Sequence, residues 1–206
     1  MKIGLDLAPL SIFRGGISVY MRSLLEELVK PEHELDLIGY LHNDTDPGIK
    51  GLTLRHGKKI SRHLRQVWIH LEGKKLAQKD NLDLFWATLY QLPLGFPGKI
   101  PIVTTVYDLM WKILPQTMNY KTRFHLKLIA DRTIQKASSI IAISNSTAQD
   151  VHDHFNRRAT TIYPGNRSAY QPASTNVARS KFGLERYALF VGTWEPRKNL
   201  ERVLQA

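Results

Sequence analysis

Two turns that combine glycines with nearby cations are the features of this sequence most suited to chemistry. The first contains Gly15 and Gly16, where a helical pattern begins, and the second contains Arg197 and Lys198, which follow Gly192. Glycines let a ligand approach the backbone closely, and the free N–H groups of a helix N-terminus attract anions. Cations at a helix start oppose the helix dipole, so another reason for them is needed, such as an anionic ligand. Both turns therefore predict a phosphate-type anion as ligand.

Each turn also has a purely structural interpretation. Gly15 and Gly16 would suit a plain loop that needs a positive φ angle, and Arg197 and Lys198 would suit a solvated basic turn. The glycine pair is not the dinucleotide-binding fingerprint, because that motif follows its strand directly, whereas eight residues separate Leu7 from Gly16. The pattern thus favours an anion site and argues against NAD.

The elements that must position these turns alternate between strand and helix. Amphipathic helices are predicted over 16–30, 60–79, 120–136 and 145–154, the last capped by Asn145 or Ser146. Short apolar strands are predicted over 2–7, 34–41, 52–55, 82–87, 101–106, 139–143 and 160–163. This order predicts an α/β fold with a doubly wound parallel sheet, whose ligands bind at the carboxyl ends of the strands.

The C-terminal part of the chain has a different composition. We expect a first domain over 1–170 and a polar linker over 171–186. An apolar strand is predicted over 187–191, followed by a turn and by a helix from Arg197. One strand and one helix cannot bury a core alone. We therefore expect 187–206 to be the first β-loop-α unit of an incomplete second domain.

Composition excludes several classes of protein. The chain has 43% hydrophobic residues, enough to bury a core. Its apolar runs are far shorter than the roughly 20 residues of a membrane span, and Asp6 argues against a signal peptide. The absence of cysteine excludes disulfides, zinc fingers and a thiol nucleophile. These features favour a cytoplasmic protein.

Positive charge dominates the 206 residues, with 29 Lys and Arg against 18 Asp and Glu and a formal net charge of +11. Much of it falls in a predicted basic helix over 58–79, which would turn Trp68 and Leu71 to its apolar side and His70 outward. Such a helix can lie on an anionic membrane surface or can simply present a solvated face. Nucleic acid ranks lower as a partner, because no aromatic platform or nucleic-acid-binding motif accompanies the cations.

The histidines do not predict a metal site. His56, His63 and His70 are spaced by seven residues, so neighbours on a helix would lie about 10 Å apart along its axis. His152 and His154 offer ligand atoms, but side chains two residues apart diverge on a helix. We therefore expect no bound metal.

Five segments of the chain follow one another in the order found in a known enzyme family. Their sequences are RGGI, VTTVYDL, IAISNSTAQDV, IYPGN and LFVGTWEPRKNL, at 14–17, 103–109, 141–151, 162–166 and 189–200. Together they resemble the family 4 glycosyltransferases of GT-B type. The resemblance implies two Rossmann-like domains facing a cleft, the N-terminal one holding the acceptor and the C-terminal one the nucleotide sugar. It also implies sugar transfer with retention of the anomeric configuration.

The resemblance assigns roles to both turns. Gly15 and Gly16 match the loop that approaches the donor diphosphate, Lys198 matches the lysine that steadies the leaving phosphate, and Arg197 is its helper. Fixed N–H groups and cations can stabilise the charge of a departing nucleoside diphosphate. The resemblance therefore implies no metal and no cofactor beyond the donor substrate. The branch that reads Gly-Thr-x-Glu-Pro-Arg-Lys-Asn often uses mannose, which makes GDP-mannose the first donor to test.

Two departures bear on activity. Many relatives have His-Asp-Leu where this chain has Tyr107, Asp108 and Leu109. Tyr107 can donate a hydrogen bond but cannot take up a proton near pH 7 as histidine can, and Asp108 either contacts the sugar or anchors a turn. The family's paired glutamates, eight positions apart, are expected beyond Ala206. If the 206 residues are the whole product, we expect negligible transfer.

We therefore expect the acceptor half of a nucleotide-sugar glycosyltransferase. Its acceptor would be a glycan or a lipid-linked sugar of cell-surface polysaccharide or lipopolysaccharide biosynthesis, and the enzyme would lie in the cytoplasm or at the inner face of the membrane. The alternative is a non-catalytic, truncated module that binds an anionic glycan, a membrane surface or nucleic acid.

Overall fold

A computed structural model describes residues 1–12, 15–42, 46–57, 68–165, 176–192, 194–195 and 198–205. The chain forms two compact units, Met1–Gly165 and Asn166–Ala206. All described strands lie in the first unit. They are β1 (Lys2–Asp6), β2 (Asp36–Leu41), β3 (Thr53–His56), β4 (Leu84–Ala87), β5 (Ile102–Val106), β6 (Ser139–Ala142) and β7 (Thr160–Thr161).

Helices connect the strands of the first unit and form the regular structure of the second. No helix within the described ranges is both long enough and apolar enough to cross a lipid bilayer. The α-helices are α1 (Ala8–Ile12), α2 (Gly16–Leu28), α3 (Lys74–Lys79), α4 (Met110–Ile113), α5 (Tyr120–Lys136), α6 (Asn145–Phe155), α7 (Asn176–Phe182) and α8 (Leu200–Gln205). A π-helical turn (Ile69–Gly73) precedes α3, and 3-10 turns lie at Pro31–His33 and Pro115–Thr117.

The sheet is parallel throughout, with the order β3-β2-β1-β4-β5-β6-β7. The α/β, Rossmann-like architecture predicted from the alternation of elements is thus confirmed. The strand order reverses between β1 and β4, which leaves a crevice at the carboxyl ends of these strands. The loops after β1, β4 and β5 border this crevice.

The core lies on both faces of the sheet, as an all-parallel sheet requires. Leu37 and Leu41 pack into one hydrophobic cluster, whereas Ile38 and Tyr40 pack into the other. Since neighbouring side chains of a strand point to opposite faces, the two clusters cover opposite faces of the sheet. Helix α2 covers one of them through the fully buried Met21 and Leu25.

Gly39 in β2 provides a test of how tightly this core is packed. A Cβ atom at Gly39 would lie 2.1 Å from Leu7 Cδ1 and 2.8 Å from Leu7 Cγ, and Leu7 is fully buried. We expect Gly39→Ala to lower the free energy of unfolding by about 1–3 kcal/mol through overpacking, as measured by urea denaturation. Gly98→Ala is the control, because a Cβ there meets no atom of the described residues within 4 Å. Equal stability of the two variants would contradict this packing.

The basic segment departs from its predicted geometry. Trp68 is buried as expected, but Leu71 is 58% exposed and His70 is half-buried, so both placements were wrong. The cause is the π-helical turn that contains both residues, because its looser winding takes them off the α-helical period. Residues 58–67, the rest of this predicted helix, lie outside the described residues.

The second unit contains no strand over 187–191 within the described residues, so the strand prediction was wrong. A single apolar run has no neighbouring strand to accept and donate its backbone hydrogen bonds, and these residues are exposed. Within the predicted linker the structure instead has α7, and the predicted C-terminal helix begins at Leu200.

Strand and helix ends also shift slightly. Ser144, rather than Asn145 or Ser146, caps α6, because its Oγ accepts the N–H of Thr147 at 3.1 Å. The edge strand β7 ends at Thr161, two residues earlier than predicted.

Candidate functional site

A cavity of about 430 Å³ lies at the carboxyl edge of the sheet, where the loops after β1, β4 and β5 meet α5. This is the edge at which parallel α/β sheets bind their ligands. Its lining residues are Ile17, Leu89, Tyr90, Gln91, Asp108, Lys121, Thr122, His125 and Leu126. Several of these carry polar groups, so the cavity can hold a ligand through both hydrogen bonds and apolar contact.

Asp108 is the predicted site residue that lines this cavity directly. Its side chain is exposed, and Oδ1 accepts the N–H of Met110 at 3.3 Å, at the start of α4. Within the described residues, the other carboxylate oxygen accepts no hydrogen bond from the protein. One oxygen thus anchors the turn, and the other is available to a ligand hydroxyl.

Tyr90 fixes the backbone that carries Asp108. Its hydroxyl accepts the N–H groups of Tyr107 at 3.1 Å and of Asp108 at 3.4 Å. Burial strongly raises the pKa of the Tyr90 hydroxyl, which keeps it protonated. The residue has a φ angle of +58°, which costs energy for a side chain of this size and is typical of functional sites.

Tyr107 is buried beside Tyr90 and is not among the residues that line the cavity. Its ring packs edge-to-face against Tyr20, with centroids 5.9 Å apart, and against Tyr90 at 6.1 Å. The buried Tyr107 hydroxyl has no hydrogen-bond partner among the described residues, and burial raises its pKa. A role for Tyr107 as hydrogen-bond donor to the sugar stays a prediction.

His125 and Gln91 belong to the cavity but carried no sequence signal. His125 is a single histidine in a long helical pattern, and Gln91 lies in a loop with no recognisable motif. The Nε2 atom of His125 is buried and has no partner among the described residues. Burial also lowers the pKa of His125, so the ring is neutral at pH 7 and can exchange hydrogen bonds with an uncharged ligand.

The lowered pKa of His125 predicts a pH dependence of stability. Because the folded pKa lies below the usual value near 6.5, the unfolded chain binds more protons at pH values between the two. The contribution of His125 to stability is therefore fully present above about pH 7 and is lost as the pH falls through this window. We expect His125→Gln to make this fall shallower, as measured by urea unfolding between about pH 7.5 and 5.5. If stability falls with pH as steeply in His125→Gln as in the wild type and in the exposed control His154→Gln, the prediction is wrong.

Gly15 and Gly16 lie at the N-terminus of α2, next to the cavity-lining Ile17. Gly15 has an extended backbone with a φ angle of −118°, and neither glycine has a positive φ, so the positive φ angle that the plain-loop interpretation required is absent from both positions. A Cβ atom at either position would meet nothing within 4 Å among the described residues. The structure thus brings this helix start and Asp108 to the same cavity.

The second turn belongs to the other unit. Its Lys198 N–H donates to the Glu195 carbonyl at 2.9 Å, and the Lys198 ammonium lies 5.8 Å from the ring centroid of Phe190. Gly192, with a φ angle of +153°, leaves room for that ammonium. Arg197 lies outside the described residues. It stays a prediction that Arg197, Lys198 and the first glycine turn bind the same pyrophosphate.

Among the described residues, Glu27, Glu32 and His33 bring three metal-ligand atoms within 4.8 Å of one another. All three residues are exposed, and Glu27 forms an ion pair with Lys30 at 2.7 Å. We interpret this group as a surface ion-pair cluster and assign no metal to it.

Comparison with known proteins identifies the family of this chain. A search of curated proteins finds no match. The family model described as Glycosyltransferase Family 4 matches residues 14–166. The match begins just before the first glycine turn, extends past the last strand of the sheet and includes Asp108. Because it covers well over half of the chain, the chain belongs to glycosyltransferase family 4.

Proposed function

We propose that the cavity beside Asp108 holds the sugar acceptor of a nucleotide-sugar glycosyltransferase. The observation that carries this proposal is the convergence of Asp108, Gln91 and His125 at the carboxyl edge of the sheet, next to the α2 N-terminus. Family membership supports sugar transfer as the reaction class.

The chemistry of the lining suits an uncharged, hydroxyl-rich ligand. A carboxylate oxygen of Asp108 accepts hydrogen bonds, the Gln91 amide both donates and accepts, and a neutral His125 does the same through its two nitrogens. Leu89 and Leu126 offer apolar surface to the carbon face of a sugar ring. The cavity volume falls within the roughly 300–1,000 Å³ typical of small-molecule sites.

The donor side rests on the two glycine-and-cation turns. We propose that the backbone at Gly15 and Gly16, together with Arg197 and Lys198, stabilises the diphosphate that leaves the donor. The resemblance of these turns supports a retaining reaction, with GDP-mannose as the first donor to test. The same proposal includes a lipid-linked or glycan acceptor of surface-polysaccharide synthesis. It also includes a cytoplasmic location and contact of 58–79 with the inner face of the membrane.

The function is tested by sugar transfer with the full gene product. Labelled GDP-mannose and a panel of other nucleotide sugars are supplied with a membrane extract that contains lipid-linked sugars. Transfer that is lost in Asp108→Asn supports the proposal, and the anomeric configuration of the product decides between retention and inversion. Absence of both transfer and glycan binding would contradict it.

A second candidate is a non-catalytic, glycan-binding module. The buried, protonated Tyr107 favours it, because this residue stands where many relatives have a histidine and cannot accept a proton. Glycan binding that depends on Asp108, without transfer from any donor, is the result that would support this second candidate.

A further inference from the structure

Helix α5 carries an apolar stripe that faces away from the core. Tyr120 and Phe124 are each 68% exposed and Leu128 is 59% exposed. Their spacing of four residues aligns them on one side of the helix. The opposite side packs into the core through the buried Ile129 and Thr133. Core packing therefore does not explain the stripe, and adjacent exposed apolar side chains of this size mark an interaction surface.

Cations flank the stripe on both sides. With 3.6 residues per turn, Lys121 lies along one border of the stripe, whereas Arg123 and Lys127 lie along the other. We call these residues and the stripe the α5 patch, comprising Tyr120, Lys121, Arg123, Phe124, Lys127 and Leu128. The acidic residue of α5 is Asp131, whose carboxylate accepts hydrogen bonds from Lys112 at 2.5 Å and from Trp111 Nε1 at 2.8 Å. The patch is therefore both apolar and positively charged.

The surface continues beyond the helix. A groove of about 680 Å³ runs from the α5 patch to Trp111, Lys112 and Pro115. Lys121 lines both this groove and the cavity beside Asp108. The α5 patch thus adjoins the candidate acceptor site, and a partner bound to the patch would lie next to that site.

We propose that the α5 patch docks on an anionic lipid bilayer. Aromatic and leucine side chains enter the boundary between headgroups and acyl chains, while lysine and arginine extend their charged ends to anionic headgroups. The combination on α5 has this arrangement, with the apolar stripe in the centre and cations on both borders. The aliphatic Leu128 extends the stripe without offering a base-stacking ring, which argues for lipid over nucleic acid.

Docking would deliver a membrane-linked acceptor to the cavity. Since Lys121 borders both features, a headgroup held at the α5 patch lies at the entrance of the cavity. This step rests on the proposed acceptor site, whereas docking itself does not. Vesicle binding needs no sugar donor, so it can succeed or fail independently of transfer.

The test is co-sedimentation of the full chain with phosphatidylcholine vesicles, with and without one-third phosphatidylglycerol, at low and high salt. We expect binding to the anionic vesicles that weakens with salt. Lys121→Glu/Lys127→Glu should lower partitioning about 30-fold or more, since each cation contributes about fivefold near an anionic surface. Tyr120→Ser/Phe124→Ser should lower it about tenfold.

The matched control changes the same residue types on another surface. Tyr163→Ser/Lys99→Glu alters an exposed tyrosine and an exposed lysine that lie outside both 58–79 and the α5 patch, and it should leave partitioning close to wild type. If the patch variants unfold at the same temperature as the wild type, any loss of vesicle binding comes from the changed side chains and not from a damaged fold. The proposal is overturned by equal binding to neutral vesicles, or by loss in the control with binding kept in the patch variants. Binding of single-stranded oligonucleotides without vesicle binding, or a change in oligomeric mass in Tyr120→Ser/Phe124→Ser, would also overturn it.

Discussion

Asp108→Asn is expected to weaken acceptor binding about 10- to 100-fold and to reduce sugar transfer at least as much. The cause is the loss of a charged hydrogen-bond acceptor at the cavity wall, because such bonds contribute about 1.5–3 kcal/mol and 1.4 kcal/mol corresponds to a factor of ten. Asparagine keeps the size of the side chain, and its carbonyl oxygen can still accept the Met110 N–H. The fold should therefore survive the substitution.

Calorimetric titration with a glycan selected by array screening measures this effect, and urea denaturation checks the fold. The matched control is Asp36→Asn, which changes an exposed aspartate at the start of β2, distant in sequence from the lining residues. Wild-type affinity and transfer in Asp108→Asn would remove Asp108 from the site.

Tyr90→Phe is expected to destabilise the fold and to impair the site together. The substitution leaves the ring packing in place but removes the acceptor for the N–H groups of Tyr107 and Asp108. Each buried N–H left without an acceptor costs about 1–3 kcal/mol. The freed backbone also lets Asp108 leave its position at the cavity wall, so we expect a loss of acceptor affinity of about tenfold.

Urea denaturation and glycan titration of the same variant separate these two effects. Tyr187→Phe removes a hydroxyl from an exposed tyrosine and is the control. If Tyr90→Phe is as stable as this control and binds glycan as wild type does, the hydroxyl does not hold the Asp108 backbone.

The fold could be predicted because its signals are local. Runs of β-branched residues such as 102–106 are buried on both faces of a parallel sheet, so they stand out from the polar turns between them. Helix α5 matched its prediction at both ends, since the Asn119 side chain accepts the Lys121 N–H at its start and Ser138 and Ser139 follow its end. Alternation of such elements is sufficient to give the sheet type.

The prediction failed where the outcome depends on distant partners. An apolar run at 187–191 predicts a strand, yet a strand forms only when another strand offers hydrogen bonds to it. The residue pattern likewise does not predict the π-helical turn at Ile69–Gly73. His70 within it accepts the Leu94 N–H at 3.1 Å, a contact between residues 24 positions apart in the chain.

The candidate site was predicted in part. The glycine turn could be found because its glycines stand at the start of a predicted helix, where anions bind, whereas Asp108 could be found only through the family resemblance of the segment at 103–109. Tyr90 could not be found, because its role depends on a positive φ angle and on a hydroxyl that bonds to the backbone of the loop after β5. His125 and Lys121 come from a helix whose pattern shows which face is apolar but not which cavity its polar residues line.

Both functions proposed for this chain require a sugar to bind in the cavity beside Asp108. A methyl NMR titration of the chain with array-selected glycans tests this directly. We predict that the methyl signals of Ile17, Leu89 and Leu126, which line the cavity, shift with glycan concentration, while those of the buried Leu25 and Ile49 stay in place. Shifts confined to methyl groups outside the cavity, with Ile17, Leu89 and Leu126 unchanged at saturation, would contradict the account.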